Sequence, residues 1–214
     1  MSLVLASKSP RRAVLLRYLV DDVAVHGVDV PEVAPRSLSI GEAVEVIARK
    51  KALAASKAMP DQYVLGADTV VAVGDLLVDK AGTIEEERER LAILSGGTHQ
   101  VWTGLALAWN GQAVDQAHAV TAVLVERLPA DVVDRYVASN LWQGKAGGYG
   151  IQDHMLAPWV RLQAGPWSNV VGLPLEVTRD LLRRNRIQTK DPPQESWLRD
   201  HNPFDSAPGS VPVA

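Results

Sequence analysis

Hydrophobic and polar positions follow one another along this chain in patterns that predict both helices and strands. A short apolar run at residues 3–6 predicts a buried strand, and the apolar spacing at residues 13–16 predicts a helix directly after it. Strand-like runs predict further strands at residues 63–73, 101–109 and 112–125, and a shorter strand is expected around residues 159–163. Helical patterns occur at residues 41–58, 83–94, 129–139 and 174–186.

Two-residue turns join the predicted strands into hairpins. Asn110–Gly111 separates the two longest strands, and this dipeptide favours a hairpin because both residues tolerate a positive φ. Gly74–Asp75 separates the preceding long strand from a short apolar run. Thr83 followed by Glu86 is a capping-box pattern that opens a helix. Helices interleaved with hairpins predict one mixed α/β domain and disfavour a purely parallel doubly wound sheet.

The predicted domain ends near residue 186. Residues 187–214 contain five prolines and little periodicity, which is typical of a poorly ordered tail. Trp197 and Phe204 are the large apolar side chains of this tail that could dock on the domain. We therefore expect a domain at residues 1–186 and a proline-rich, poorly ordered tail at residues 187–214.

Composition and charge exclude several classes of protein. The formal net charge of −3 argues against a general nucleic-acid binder, which would be basic. The absence of cysteine excludes disulfides, thiolate zinc sites and a cysteine nucleophile, and the five histidines form no i, i+4 pair. The apolar runs are too short for a signal peptide or a membrane span. We expect a cytoplasmic protein without nucleic-acid or membrane partners.

The loop after the first strand carries the first candidate chemistry. Ser9 suits a helix N-cap and Pro10 suits the first helical position, so a helix N-terminus with free amides follows. Lys8, Arg11 and Arg12 add positive charge beside those amides, and arginine matches phosphate oxygens in pairs. The segment indicates either a polyphosphate site or an ordinary capped helix with solvated cations.

Asp68 lies inside an apolar β-branched run, where an unpaired carboxylate would be costly. The functional interpretation is a general base or metal ligand on a rigid strand. The structural alternative is an aspartate bonded to nearby backbone amides. Gly66 just before it permits close approach of a ligand or another segment.

Lys51 falls on the apolar face of the predicted helix at residues 41–58. Val44, Ile47, Ala48 and Lys51 follow the i, i+3, i+4, i+7 spacing of a buried stripe. An inward lysine either extends its ammonium group to the rim of the core or pairs with an anion. Both alternatives remain open from this helix alone.

Residues 144–152 form a glycine-rich segment that contains Lys145 and ends at Gln152. The segment has neither the Walker spacing nor the dinucleotide glycine pattern. It predicts either a loop whose backbone approaches a ligand or a flexible connection.

Six segments in this order resemble the Maf family of nucleoside triphosphate pyrophosphatases, the septum-formation-inhibitor-like proteins. They are Ser7–Arg12, Ala48–Ala52, Gly66–Val71, Thr98–Gly104, Lys145–Gln152 and Asn169–Pro174. The resemblance runs from about residue 3 to residue 183. It implies a single mixed α/β domain of the Maf/ITPase-like type, with long hairpins in a curved mixed sheet flanked by helices.

The resemblance also implies a reaction and a set of site residues. Maf proteins hydrolyse the α–β anhydride of a nucleoside triphosphate with a divalent metal cation, Mg²⁺ or Mn²⁺, and the resemblance implies a homodimer. Asp68 would activate water and, with Glu32, would hold the metal. The implied substrate-binding residues are Ser7, Arg11, Arg12, Lys51, Thr69, Lys80, Lys145 and Gln152.

Specificity follows from the branch of the family that the chain matches. Asp68–Thr69, Arg11 and Gln152 resemble the branch associated with dTTP and UTP, and a glutamine amide can bond a ring carbonyl and a ring N–H together. Modified pyrimidine nucleotides fit the same pattern and suggest a house-cleaning role. The alternatives are a 7-methyl-GTP pyrophosphatase and a non-catalytic nucleotide-binding regulator of cell division.

Several positions depart from the family pattern or leave a role open. Leu141 stands where the family often has a glutamate, and Asp79–Lys80–Ala81 stands where Gly-Lys-Pro is common. With a two-residue turn at Gly74–Asp75, Lys80 would pair opposite Thr69 and away from Asp68, whereas a bulge would reverse this. The nearby tryptophans could stack on a base or pack in the core. They are Trp142, Trp159 and Trp167.

Overall fold

The computed structural model describes residues 3–204, which form seven strands and seven α-helices in those residues. The strands are β1 (Leu3–Ala6), β2 (Val23–Val25), β3 (Tyr63–Val73), β4 (Leu76–Val78), β5 (Gly97–Trp109), β6 (Gln112–Val125) and β7 (Val160–Ala164). The helices are α1 (Pro10–Arg17), α2 (Ile40–Ser56), α3 (Ile84–Leu94), α4 (Ala130–Ala138), α5 (Trp167–Val171), α6 (Leu175–Arg184) and α7 (Glu195–Asp200). No helix in this part of the chain is long and apolar enough to cross a membrane.

The strands form one mixed sheet, as the sequence pattern predicts. Their order is β2-β1-β3-β5-β6-β7, and β4 pairs with β3 beside this path. β1 is parallel to β2 and β3, whereas β3–β4 and β6–β7 are antiparallel. The mixed α/β fold class and the absence of a purely parallel doubly wound sheet are therefore confirmed.

The described residues divide into two compact units. The first unit comprises residues 3–69, 102–120 and 172–194, and the second comprises residues 70–101, 121–171 and 195–204. Small residues dominate two buried clusters of the first unit, and larger aliphatic and aromatic side chains build the core of the second. Trp142 and Trp167 are buried and Trp159 packs against the second core, so all three tryptophans serve packing here.

Both two-residue hairpins form. Val71, Ala72 and Val73 pair with Val78, Leu77 and Leu76, which leaves Gly74–Asp75 as the turn. β4 ends at Val78, so Lys80 lies two residues beyond the end of the strand. At the second hairpin Asn110 and Gly111 both have a positive φ, 47° and 75°, as the turn type requires.

The N-caps of α1 and α3 are the residues that the sequence predicts, but their hydrogen bonds differ from those predicted. Ser9 occupies the N-cap of α1 with Pro10 next, but the Ser9 side chain makes no capping bond, which corrects the prediction. Instead the Ser9 N–H donates to Ser7 Oγ at 3.1 Å. At α3 the Glu86 N–H donates to Thr83 Oγ1, while the Glu86 carboxylate accepts from Gly82, one residue before the predicted partner.

The tail contains more structure than its composition indicates. Residues 195–200 form α7, and Leu198 at its centre is fully buried. Phe204 stacks on Trp167 with ring centroids 6.3 Å apart. The expectation of poor order at residues 205–214 concerns positions outside the described residues, and the bounds of the domain at residues 1–186 stay a prediction.

Close packing of α2 on β3 places the candidate residues of the first unit. A Cβ added at Gly66 would lie 2.1 Å from the Ala48 carbonyl oxygen and 2.8 Å from the Ala52 nitrogen. These atoms belong to the helix backbone and cannot rotate away, so only glycine allows α2 this close to the strand. The close approach lies two residues before Asp68 and directly beside Lys51.

We expect Gly66→Ala to lower the free energy of unfolding by about 2 kcal/mol, because the helix must move away from the strand. Urea denaturation followed by circular dichroism measures the change. Gly97→Ala is the matched control, since its Cβ would meet nothing closer than 3.8 Å. Equal stability of the two variants would contradict the packing argument.

Candidate active site

A buried lysine between two carboxylates forms the centre of the candidate site in the first unit. Lys51 is 8% exposed and Asp68 is 4% exposed. The Lys51 Nζ donates to Asp68 Oδ1 and to Glu32 Oε1, each at 2.6 Å. Lys51 therefore pairs with anions and does not extend to the rim, and the carboxylates keep a buried ammonium compensated.

Arg12 links three segments of the first unit through its guanidinium. Its Nε donates to the Gly172 carbonyl oxygen at 2.9 Å, and its Nη1 donates to the Ala67 carbonyl oxygen at 2.9 Å. The remaining bonds go to Ser7 Oγ at 3.2 Å and Thr69 Oγ1 at 2.9 Å. These contacts occupy four of the five N–H donors of an arginine, so the side chain is held in one orientation.

The charges of this group act on one another. Burial lowers the pKa of Arg12, Asp68 and Glu32 oppose that effect, and Arg11 adds to it. Arg12 remains a cation, as arginine does in proteins. The structure thus brings together seven of the predicted residues in the first unit. They are Ser7, Arg11, Arg12, Glu32, Lys51, Asp68 and Thr69.

The two hydroxyl groups of this set bond mainly to protein. Ser7 Oγ accepts from the Ser9 N–H and from Arg12, and Thr69 Oγ1 accepts from Arg12 and lies 2.9 Å from Thr103 Oγ1. Thr103 is fully buried and belongs to β5, so Thr69 is braced from a neighbouring strand. Each hydroxyl supports the guanidinium of Arg12.

Lys145 forms a buried ion pair inside the second unit. Its Nζ bonds both oxygens of Asp153, with Oδ1 at 2.5 Å, and both residues are buried. Asp153 Oδ2 also accepts from the Tyr136 hydroxyl at 2.7 Å and from the Gly150 N–H at 3.0 Å. These bonds fix the conformation of the glycine-rich segment. They therefore argue against the alternative that the segment is a flexible connection.

A second buried contact holds the same loop. His99 Nε2 lies 2.6 Å from the Tyr149 hydroxyl, and burial lowers the pKa of His99 to about 4. His99 is therefore neutral at physiological pH and serves the packing of this unit. The Gln152 carbonyl oxygen accepts from the Asn202 side chain at 2.9 Å. Lys80, Lys145 and Gln152 belong to the second unit, and their roles toward a nucleotide stay predictions.

Glu87 is a buried carboxyl group that sequence patterns left unassigned. It is 0% exposed, and neither carboxyl oxygen has a hydrogen-bond partner in residues 3–204. Burial raises its pKa to about 8, opposed by Arg90 and Lys145. A Cβ added at Gly148 would lie 1.9 Å from Glu87 Oε2, so the carboxyl group lies directly against the loop backbone.

Helical spacing could have identified Glu87. Glu87, Leu91 and Leu94 are the buried positions of α3, at i, i+4 and i+7. This is the same spacing that marks Lys51 on α2. Asp153 had no comparable pattern, because its partners Tyr136 and Lys145 are brought to it by the fold.

Comparison with known proteins agrees with these motifs. The family model described as Maf-like protein matches residues 2–185. A dTTP/UTP pyrophosphatase of Agrobacterium fabrum is 41% identical over 187 residues, covering 84% of this chain and 90% of that protein. A dTTP/UTP pyrophosphatase of Mesorhizobium japonicum is 36% identical over 203 residues, covering 92% of this chain and 95% of that protein.

A solved structure gives a further comparison. It is a nucleoside-triphosphatase, a dITP/XTP pyrophosphatase, of Mycobacterium abscessus, with a TM-score of 0.43 and 17% sequence identity. The match covers 87% of this chain and 95% of that chain.

We expect Glu87→Gln to reduce the dependence of stability on pH. A carboxyl group with a pKa near 8 in the folded state and about 4.3 in the unfolded state destabilises the fold as pH rises between these values. Glutamine does not titrate, so the difference in unfolding free energy between about pH 5 and about pH 8 should shrink. Urea denaturation at both pH values measures it.

Glu85→Gln on the same helix is the control, since Glu85 is exposed. The control should keep the pH dependence of the unchanged protein. An identical pH dependence in Glu87→Gln would show that Glu87 is already ionised in the folded state.

Proposed function

This chain belongs to the family of Maf-like proteins, and we propose that it hydrolyses dTTP and UTP to the nucleoside monophosphate and pyrophosphate. The Lys51–Asp68–Glu32 group beside Arg12, in which Lys51 and Asp68 are buried and Glu32 is exposed, is the observation that carries the proposal. A carboxylate fixed on a strand within a cluster of cations suits the activation of water beside a polyphosphate. The names of relatives at 36–41% identity support the same substrates.

Asp68 is assigned as the general base. One oxygen, Oδ1, accepts from Lys51, and the second oxygen would take a proton from the attacking water. The water oxygen bonds the α-phosphorus, and the bond from that phosphorus to the bridging oxygen breaks. Pyrophosphate leaves with the electron pair of the broken bond, so negative charge develops on it in the transition state.

The cations of the first unit are assigned to that developing charge. Lys51 has three N–H donors, of which Glu32 and Asp68 use two, and the proposal assigns the third to a phosphate oxygen. Arg12 is oriented by its protein contacts, and Arg11 lies next to it on α1. Cationic side chains that are already oriented stabilise the charge on a leaving group without having to reorganise during the reaction.

Glu32 and Asp68 also fit a divalent cation. They share one cation, Lys51, which shows that both carboxylates converge on one place. No group of three or more His, Asp or Glu side chains in residues 3–204 could hold a metal alone. Mg²⁺ needs few protein carboxylates when phosphate oxygens and water complete its shell. When bound, Mg²⁺ or Mn²⁺ would neutralise charge on the triphosphate.

A nucleotide panel tests the reaction. The purified protein is incubated with Mg²⁺ or Mn²⁺ and with dTTP, UTP, dCTP, dATP or 7-methyl-GTP, and products are identified by ³¹P NMR. We expect pyrophosphate and monophosphate from dTTP and UTP. Turnover of 7-methyl-GTP alone would overturn the proposed substrates in favour of 7-methyl-GTP. Binding of nucleotides without turnover of any of them would overturn the proposed reaction and support the non-catalytic regulator.

We expect Asp68→Asn to lower kcat by a factor of about 10²–10⁴ while nucleotide binding is retained, because the amide cannot accept the proton of water. Steady-state kinetics and calorimetric titration with a non-hydrolysable UTP analogue measure the two effects. Asp75→Asn is the control, since Asp75 lies in an exposed turn. Undiminished turnover in Asp68→Asn would remove the base assignment.

A further inference from the structure

Residues beyond the family match pack on the loop that ends at Gln152. The match ends at residue 185, and α7 begins at Glu195. The Glu195 carboxylate accepts from the Ser168 N–H at 2.8 Å and from the Ser168 hydroxyl at 2.5 Å. Ser168 is fully buried, and so is Leu198 of α7. This segment is therefore part of the folded second unit.

The same segment bonds the main chain of Gln152. Asn202 Nδ2 donates to the Gln152 carbonyl oxygen at 2.9 Å. Asn202 Oδ1 accepts from the Phe204 N–H at 3.3 Å, and the Phe204 ring stacks on Trp167. The position of Asn202 is thus fixed by its neighbours, and its hydrogen bond restrains the main chain of Gln152.

The Gln152 side chain has an unused acceptor. Its Oε1 is buried and has no hydrogen-bond partner in residues 3–204. The amide lies against Gly150, where an added Cβ would come within 2.4 Å of Nε2. A buried acceptor without a donor is costly, and a donor from a ligand would relieve that cost.

A cavity beside Gln152 is walled in part by the C-terminal segment. Its volume is about 530 Å³, within the range of ligand pockets. Arg199 and Asn202 line it together with Gln152, Arg161 and Trp167. The segment therefore shapes both the backbone and the surroundings of Gln152.

We propose that residues 195–204 position Gln152 for base selection and that Asn202 is the positioning residue. The proposal rests on the proposed function and on the role that the family resemblance implies for Gln152, recognition of a uracil or thymine ring by its side-chain amide. One amide must donate to a ring carbonyl and accept from a ring N–H at the same time, so its location relative to the base must be fixed. The Asn202 bond supplies that restraint from a segment outside the family match.

Asn202→Asp in the full chain tests this. The carboxylate keeps the size of the side chain and an acceptor for Phe204, but it cannot donate to the Gln152 carbonyl oxygen and repels it. We expect the preference for UTP over CTP, as the ratio of kcat/KM values, to fall by about threefold to tenfold. The loss should appear mainly as a higher KM for UTP, while kcat stays close to that of the unchanged protein.

His201→Ala is the matched control, because His201 is exposed and its contacts are with Trp197, through the Trp197 carbonyl oxygen and by ring stacking, and not with Gln152. It should keep the UTP preference. Hydrogen exchange of the amides at residues 150–153 gives a second measurement, and we expect faster exchange in Asn202→Asp. Glu195→Gln is a second variant for the case in which Asn202→Asp folds poorly. It weakens the bonds of Glu195 to Ser168, and it should lower the preference for UTP over CTP as well.

The outcomes separate the two proposals. No hydrolysis of UTP by the unchanged protein would overturn the proposed function. Hydrolysis by the unchanged protein with the same UTP preference in Asn202→Asp and Glu195→Gln would overturn the positioning role alone. Faster exchange without any change in selectivity would make Asn202 a purely structural residue and would equally overturn it.

Discussion

The buried ammonium of Lys51 is the constraint on which the candidate site depends. An ammonium group in a packed interior must be paired, and removing a partner from such a pair costs about 3–5 kcal/mol. Asp68 and Glu32 meet this requirement at 2.6 Å each. Because Lys51 belongs to α2 and Asp68 to β3, the pair requires helix and strand to approach closely, which Gly66 permits. Electrostatics and packing therefore specify the same geometry.

The buried guanidinium of Arg12 is compensated differently from the ammonium of Lys51. Its charge is shared among backbone carbonyls and hydroxyls from β3, the Ser7 loop and the Gly172 segment. Ser7 and Thr69, which the family resemblance implies as substrate-binding, are here the groups that orient this guanidinium. A motif residue can thus matter to a nucleotide site by fixing a cation, without touching the nucleotide itself.

Sequence patterns predicted the parts of the fold that have strong local causes. Apolar periodicity located β3, β6 and most helices to within a few residues, and Asn110–Gly111 located a hairpin. Apolar-face spacing placed Lys51 in the interior. β2, α5 and α7 are short and depend on packing partners distant in sequence, so local patterns do not reveal them.

The site shows the same division between local and distant causes. Lys51 and Asp68 were conspicuous because each breaks a local apolar pattern. The absence of a Ser9 capping bond and the ion pair of Lys145 with Asp153 depend on distances that only the fold creates. Glu87 lies between these cases, since its helical spacing is local and its unpaired carboxyl group is a property of tertiary packing.

Charge balance at the candidate site bears on the proposed metal. Arg11, Arg12 and Lys51 contribute three positive charges, and Asp68 and Glu32 cancel two of them. A triphosphate brings several negative charges, which one surplus cation would leave largely uncompensated in a partly buried site. A divalent cation that enters with the nucleotide would supply the missing charge and would compete with Lys51 for the same carboxylates. Under the proposed function, Lys51 would hold Glu32 and Asp68 in place in the absence of nucleotide and metal.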